Sequence, residues 1–182
     1  MAEDAGPALR YYQNNGTELY LALDTFVSRL SLKDRSDYLP LFVAVLNKDF
    51  ESLTVTRESF ELELKDGGRS MRLALADPLR QRRVYGRGTR NLRAGRAFLR
   101  MLDTRFPRPP YHWRDLEFFP LRATGTVHRD QIELRRAEMA IGLIYFEIPP
   151  SFRPLPEVAT LLFRAPESKD TYVLEFSLPS GN

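Results

Sequence analysis

Three features of the sequence predict a mainly β fold arranged as a sandwich and interrupted by a helical, Arg-rich insertion. Two period-2 runs flank Asp66-Gly67-Gly68, as in a tight hairpin. Several further short β-prone runs are separated by turn residues. Between them, residues 77–110 switch to helical spacing and carry many arginines.

The 182 residues fit one domain, 1–182, and the 43% apolar content is enough for a proper core. Residues 1–16 read as a loose lead-in ending at the turn-prone Asn14-Asn15-Gly16. Glu18 to Val27 then alternates, with Leu19, Leu21 and Leu23 on one side. Leu39 to Leu46 is apolar on both sides, which predicts a central strand covered on both faces, with Pro40 at its start. Leu53 to Val55 is a short β-prone piece.

In the hairpin, Phe60, Leu62 and Leu64 alternate with Glu61, Glu63 and Lys65, and Met71, Leu73 and Leu75 alternate with Arg72 and Ala74. Glycine accepts the positive φ that a two-residue turn demands. Asp77-Pro78 has the form of a helix start. Thr89 to Arg105 reads as a helix, with Leu92, Leu99, Leu102 and nearby Phe98 on its apolar side, and Pro107, Pro109 and Pro110 end it. β character returns at Leu116–Leu121, Gln131–Arg136, Gly142–Ile148, Ala159–Phe163 and Thr171–Leu178. Eight or so short strands suggest a β-sandwich of immunoglobulin-like type, with a barrel as the main alternative. The expected core includes Phe60, Leu62, Leu64, Met71, Leu73, Tyr172, Leu174 and Phe176.

Three stretches carry a resemblance: Tyr38 to Asn47, Phe60 to Gly67, and Gly142 to Pro149. A strand ending in Asn, a strand leading to Asp-Gly and a Gly-x-x-x-Phe-x-x-Pro strand, in that order, resemble the immunoglobulin-like domain of bacterial exported lipoproteins of unknown function. The match spans about half the chain. It implies a β-sandwich, an envelope location and no known catalysis. The Arg-rich segment 77–110 departs from that pattern. So does the absence of an apolar stretch within Met1 to Asn15. The expected location is therefore the bacterial periplasm or cell envelope if Met1 stands where a signal was removed, and the cytoplasm otherwise.

Chemistry-bearing motifs are sparse. There is no cysteine, which removes disulfides, thiolate metal sites and cysteine nucleophiles. His112 and His128 are the only histidines, too few and too far apart for a zinc site without added carboxylates. No metal or other cofactor is expected. Ser59 and Ser70 are expected on the exposed faces of the hairpin, outside any nucleophile elbow. Gly86-Arg87-Gly88 lacks the further glycine of a dinucleotide turn. Glu61 and Glu63 read as a solvated strand face. His112-Trp113, after Pro109-Pro110-Tyr111, reads as an aromatic plug over one end of the core. The competing reading is an enzyme site around His112, Trp113 and Asp115.

Charge is the remaining signal. Net charge is only +3, but residues 69–136 carry 17 Arg against 6 acids, a local +11, and the remainder carries 10 basic and 18 acidic residues, a net −8. Such asymmetry marks either an anionic partner or complementary parts of one fold. A guanidinium suits carboxylate and phosphate alike. Arg93, Arg96 and Arg100 share a helix side opposite the leucines. The expected function is a non-catalytic binding or assembly domain that meets an acidic protein surface through Arg83, Arg87, Arg90, Arg93, Arg96 and Arg100. Nucleic acid and anionic lipid are the alternative partners, nucleic acid being disfavoured because aromatics do not interleave with the arginines. No apolar run is long enough to span a membrane.

Overall fold

The computed structural model describes residues 11–28, 37–78, 96–106, 110–119 and 129–178. It is mainly β, with three sheets. The largest is five-stranded: β1 (Tyr11–Asn15), β2 (Leu19–Asp24), β3 (Tyr38–Asn47), β9 (Glu138–Glu147) and β7 (His112–Asp115), in that order. The second is four-stranded, in the order β11 (Tyr172–Ser177), β10 (Val158–Phe163), β5 (Phe60–Asp66) and β6 (Arg69–Ala74). The third pairs β4 (Ser52–Thr56) with β8 (Gln131–Arg135). A ten-residue helix, α1 (Arg96–Arg105), lies within the Arg-rich stretch.

The apolar pattern of β3 has the expected cause. It pairs with β2 on one side and β9 on the other, and Leu39 to Leu46 are all buried. Register divides the five-stranded sheet into two faces, because directly paired residues share a side. Tyr11, Asp24, Phe42 and Leu143 fall on one face; Tyr12, Leu23, Val43 and Gly142 fall on the other. α1 covers the first face. The Phe98 ring lies 5.9 Å from that of Tyr11 and 5.5 Å from that of Phe42, and the Phe106 ring just beyond α1 lies 4.8 Å from that of Tyr20. Leu102, a turn from each, is fully buried, and the row between theirs on β2 and β3 carries only Ala22 and Ala44. Small residues there leave room for the helix.

The four-stranded sheet covers the other face. Tyr12 meets Phe176 ring to ring at 5.9 Å. The edges are stitched: the Asn14 side chain donates to the Val173 carbonyl of β11, and the Ala76 N–H donates to the Tyr145 carbonyl of β9. All eight residues expected in the core are buried or half-buried. The β5–β6 turn is also as expected, with Asp66 paired to Arg69 across Gly67 and Gly68 at φ 52° and 87°.

Several expectations are corrected. The lead-in contains a strand, β1, whose side chains are half-buried or exposed, so it lacks an apolar run to announce it. β2 is buried on both faces, because α1 takes the side on which its polar positions lie. The strand expected at Leu116–Leu121 lies earlier, at His112–Asp115, and runs parallel to β9. Leu116 to Phe119 instead form a turn that crosses β9, their apolar side chains serving as a cover. Ser59 is buried at 4% exposure, because its hydroxyl closes a 3-10 turn by accepting from the Thr56 N–H. Ser70 is exposed as expected.

Candidate functional site

α1 is built from one apolar and one basic side. Phe98 and Leu102, four residues apart, are fully buried against the sheet. Arg96 and Arg100, also four apart, fall about 200° round the helix from them at 100° per residue. Both are exposed, and neither has an acidic partner among the described residues. Arg105 does different work: its guanidinium lies 5.4 Å over the Tyr20 ring and 5.8 Å from that of Phe106, holding the end of α1 to β2. Arg83, Arg87, Arg90 and Arg93 lie outside the described residues, so the structure brings together two of the six arginines singled out from sequence.

Other arginines serve the fold. Arg57 donates to the carbonyls of Phe118 and Ala76 and stacks 5.1 Å from the Phe119 ring centroid. Burial lowers its pKa, and the nearby acids Asp130, Glu58 and Asp77 oppose that. Arg114 meets Glu138 at 3.5 Å and donates to the Glu133 carbonyl. The Arg114–Glu138 pair absorbs part of the basic excess internally.

The residues of the competing enzyme reading do not converge. His112 and Asp115 are three apart on β7, so they project to opposite sides of the strand. Both are exposed. His112 is therefore no plug; the aromatic packing falls to Tyr111, whose ring meets Phe106 at 5.4 Å, and to half-buried Trp113. Among the described residues no group of three or more His, Asp or Glu could hold a metal. A shallow polar recess lies where Glu58, Ser59, Glu61, Arg164 and Thr171 meet, and Arg164 is tied there to the Thr171 hydroxyl and the Ser59 carbonyl. No helix among the described residues is long and apolar enough to cross a membrane.

One buried charge-bearing group was not singled out from the sequence. Asp24 ends β2 and is 2% exposed. Its Oδ1 accepts from the Phe26 N–H at 2.5 Å, where the chain turns helical, while its Oδ2 meets no hydrogen-bond donor among the described residues. Burial pushes its pKa up from 3.8 to about 6, against the lowering effect of that backbone bond. An Asp closing an apolar strand just before Thr25 and Phe26 was the available signal, since that is an N-cap pattern.

No family model matches the sequence, and no curated protein matches it. Among solved structures, the chain is similar to a functionally unknown protein from Listeria monocytogenes EGD-e. The two share 11% sequence identity over 94% of this chain and 84% of that one, with a TM-score of 0.43. This likeness assigns neither a family nor a function.

Proposed function

We propose that this chain is a non-catalytic binding or assembly domain that meets an acidic protein surface through the outer side of α1. The observation that carries the reading is the pair Arg96 and Arg100, exposed on the side of α1 away from Phe98 and Leu102 and without an acidic partner among the described residues. A guanidinium whose hydrogen-bond donors face water is available to a carboxylate brought by another molecule. Phe98 and Leu102 are fully buried against the sheet, so the helix presents its charge outward from a packed seat. His112 and Asp115, projecting from opposite sides of β7, favour the non-catalytic reading. The immunoglobulin-like type of the sandwich and an envelope location belong to the same proposal and rest on the resemblance of the three sequence stretches.

The test compares retention of the protein on immobilised poly-L-glutamate, duplex DNA and phosphatidylglycerol vesicles, at low and physiological salt, against R96E/R100E. The reading expects salt-sensitive retention on polyglutamate that the double variant loses. Stronger retention on DNA or on vesicles at physiological salt would move the surface to that partner class. Equal retention of both proteins on polyglutamate overturns the reading.

A further inference from the structure

Asp24 occupies an unusual place for a carboxylate. It lies on the face of the five-stranded sheet that α1 covers, in the row Tyr11–Asp24–Phe42. Both of its neighbours in that row pack on Phe98 of α1. A carboxylate taken out of water needs a cation or several donors, and otherwise favours its neutral form. Here one backbone N–H serves Oδ1, and Oδ2 has no donor among the described residues.

No cation of the described residues compensates for it. β1 contributes Tyr11, whose own pKa is pushed up to about 12 by burial. β3 contributes Phe42, and the segment after Asp24 contributes Thr25 and Ser28, neither of which is charged. The charged residues of α1 are Arg96, Arg100 and Asp103, which are exposed, and Arg105, which is engaged over Tyr20 and acts on Tyr11. The carboxyl is governed by burial and the single Phe26 bond.

We infer that α1 sits on a proton-gated seat: the helix is held more tightly when Asp24 is neutral, and its hold loosens when Asp24 ionises beneath it. The inference concerns the seat alone and does not depend on any partner of the basic side. The folded-state pKa lies above the value of the exposed group, so this contribution is fully present below about pH 4. It declines as pH rises and is lost through pH 6. Between pH 5 and pH 7.5, values of 3.8 and about 6 correspond to a change of about tenfold in the equilibrium between seated and lifted helix.

Asp24→Asn removes the titration while keeping the side-chain oxygen that accepts from Phe26. Hydrogen exchange of the amides of α1, corrected for intrinsic rates, is compared in wild type and D24N at pH 5 and pH 7.5. The expected result is protection that falls about tenfold with rising pH in the wild type and stays level in D24N. Parallel pH profiles in the two proteins overturn the inference. Should D24N fail to fold, a carbon-13 titration of the Asp24 carboxyl in the wild type decides. A midpoint near 6 together with pH-dependent α1 exchange supports the gate, and a midpoint near 4 overturns it.

Discussion

Gly142 shows how closely one residue can fix a crossing. A Cβ built there would stand 2.7 Å from the Leu116 carbonyl oxygen and 2.8 Å from the Leu116 Cβ. The Leu116 N–H also donates to the Ile141 carbonyl at 2.7 Å, so the chain cannot easily move away. Gly142→Ala is expected to cost about 1–3 kcal/mol, measured by denaturant unfolding. An unchanged midpoint would mean that the Leu116 turn does not cross β9 there. Ala137 presents the opposite case. It holds φ 64° where β8 bends into β9, pinned by its N–H to the Asn47 carbonyl and by its carbonyl to the His112 N–H. A left-handed alanine stores strain that glycine would release, so Ala137→Gly is expected to stabilise the fold by up to about 1 kcal/mol. Phe60 is fully buried, with its ring 5.0 Å from that of Phe163 and 6.2 Å from that of Phe118. Phe60→Ala should cost about 3–5 kcal/mol, again by denaturant unfolding, and a cost under about 1 kcal/mol would put the β5 register in doubt.

At the scale of elements, legibility followed how much of each strand's pattern was set by one neighbour. The β5–β6 hairpin was readable because its turn and its alternation are local, and Gly67, Gly68 and the eight core positions fall as expected. β3 was readable because burial on both sides leaves a run without polar positions. β1 was missed because Tyr11, Gln13 and Asn15 lie at the sheet edge and bear no apolar stripe. β7 was missed because His-Trp-Arg-Asp carries no strand pattern, and its parallel pairing to β9 is a non-local contact. The expected helix over Thr89–Arg105 agrees with α1 over the part that is described. Its apolar and basic sides were legible from spacing, whereas Asp24 beneath it was not, since burial on that side of β2 depends on the helix. α1 also makes a prediction of its own. Arg96 and Arg100 contact no acid among the described residues, so R96E/R100E should unfold within about 0.5 kcal/mol of the wild type. A larger loss would show that these arginines hold the fold together.

At the scale of the whole molecule, the uneven charge acquires a place. The basic excess of residues 69–136 is partly spent inside the fold, on Arg57-like anchoring by Arg114, Arg129 and Arg136, each within 4 Å of an acid or tied to a carbonyl. What is left outward on α1 lies on one face of the five-stranded sheet, with the four-stranded sheet on the other. An exposed ion pair contributes only about 0–1 kcal/mol, so two such arginines would steer and orient a partner more than hold it. The effect therefore belongs in the association rate and its dependence on salt. The most direct measurement is the rate of association with immobilised poly-L-glutamate across ionic strength, for the wild type and for R96E/R100E. The account predicts a wild-type rate that falls as salt rises, and a slower, flatter dependence in the double variant at unchanged stability. Superimposable rate–salt curves for the two proteins would contradict it.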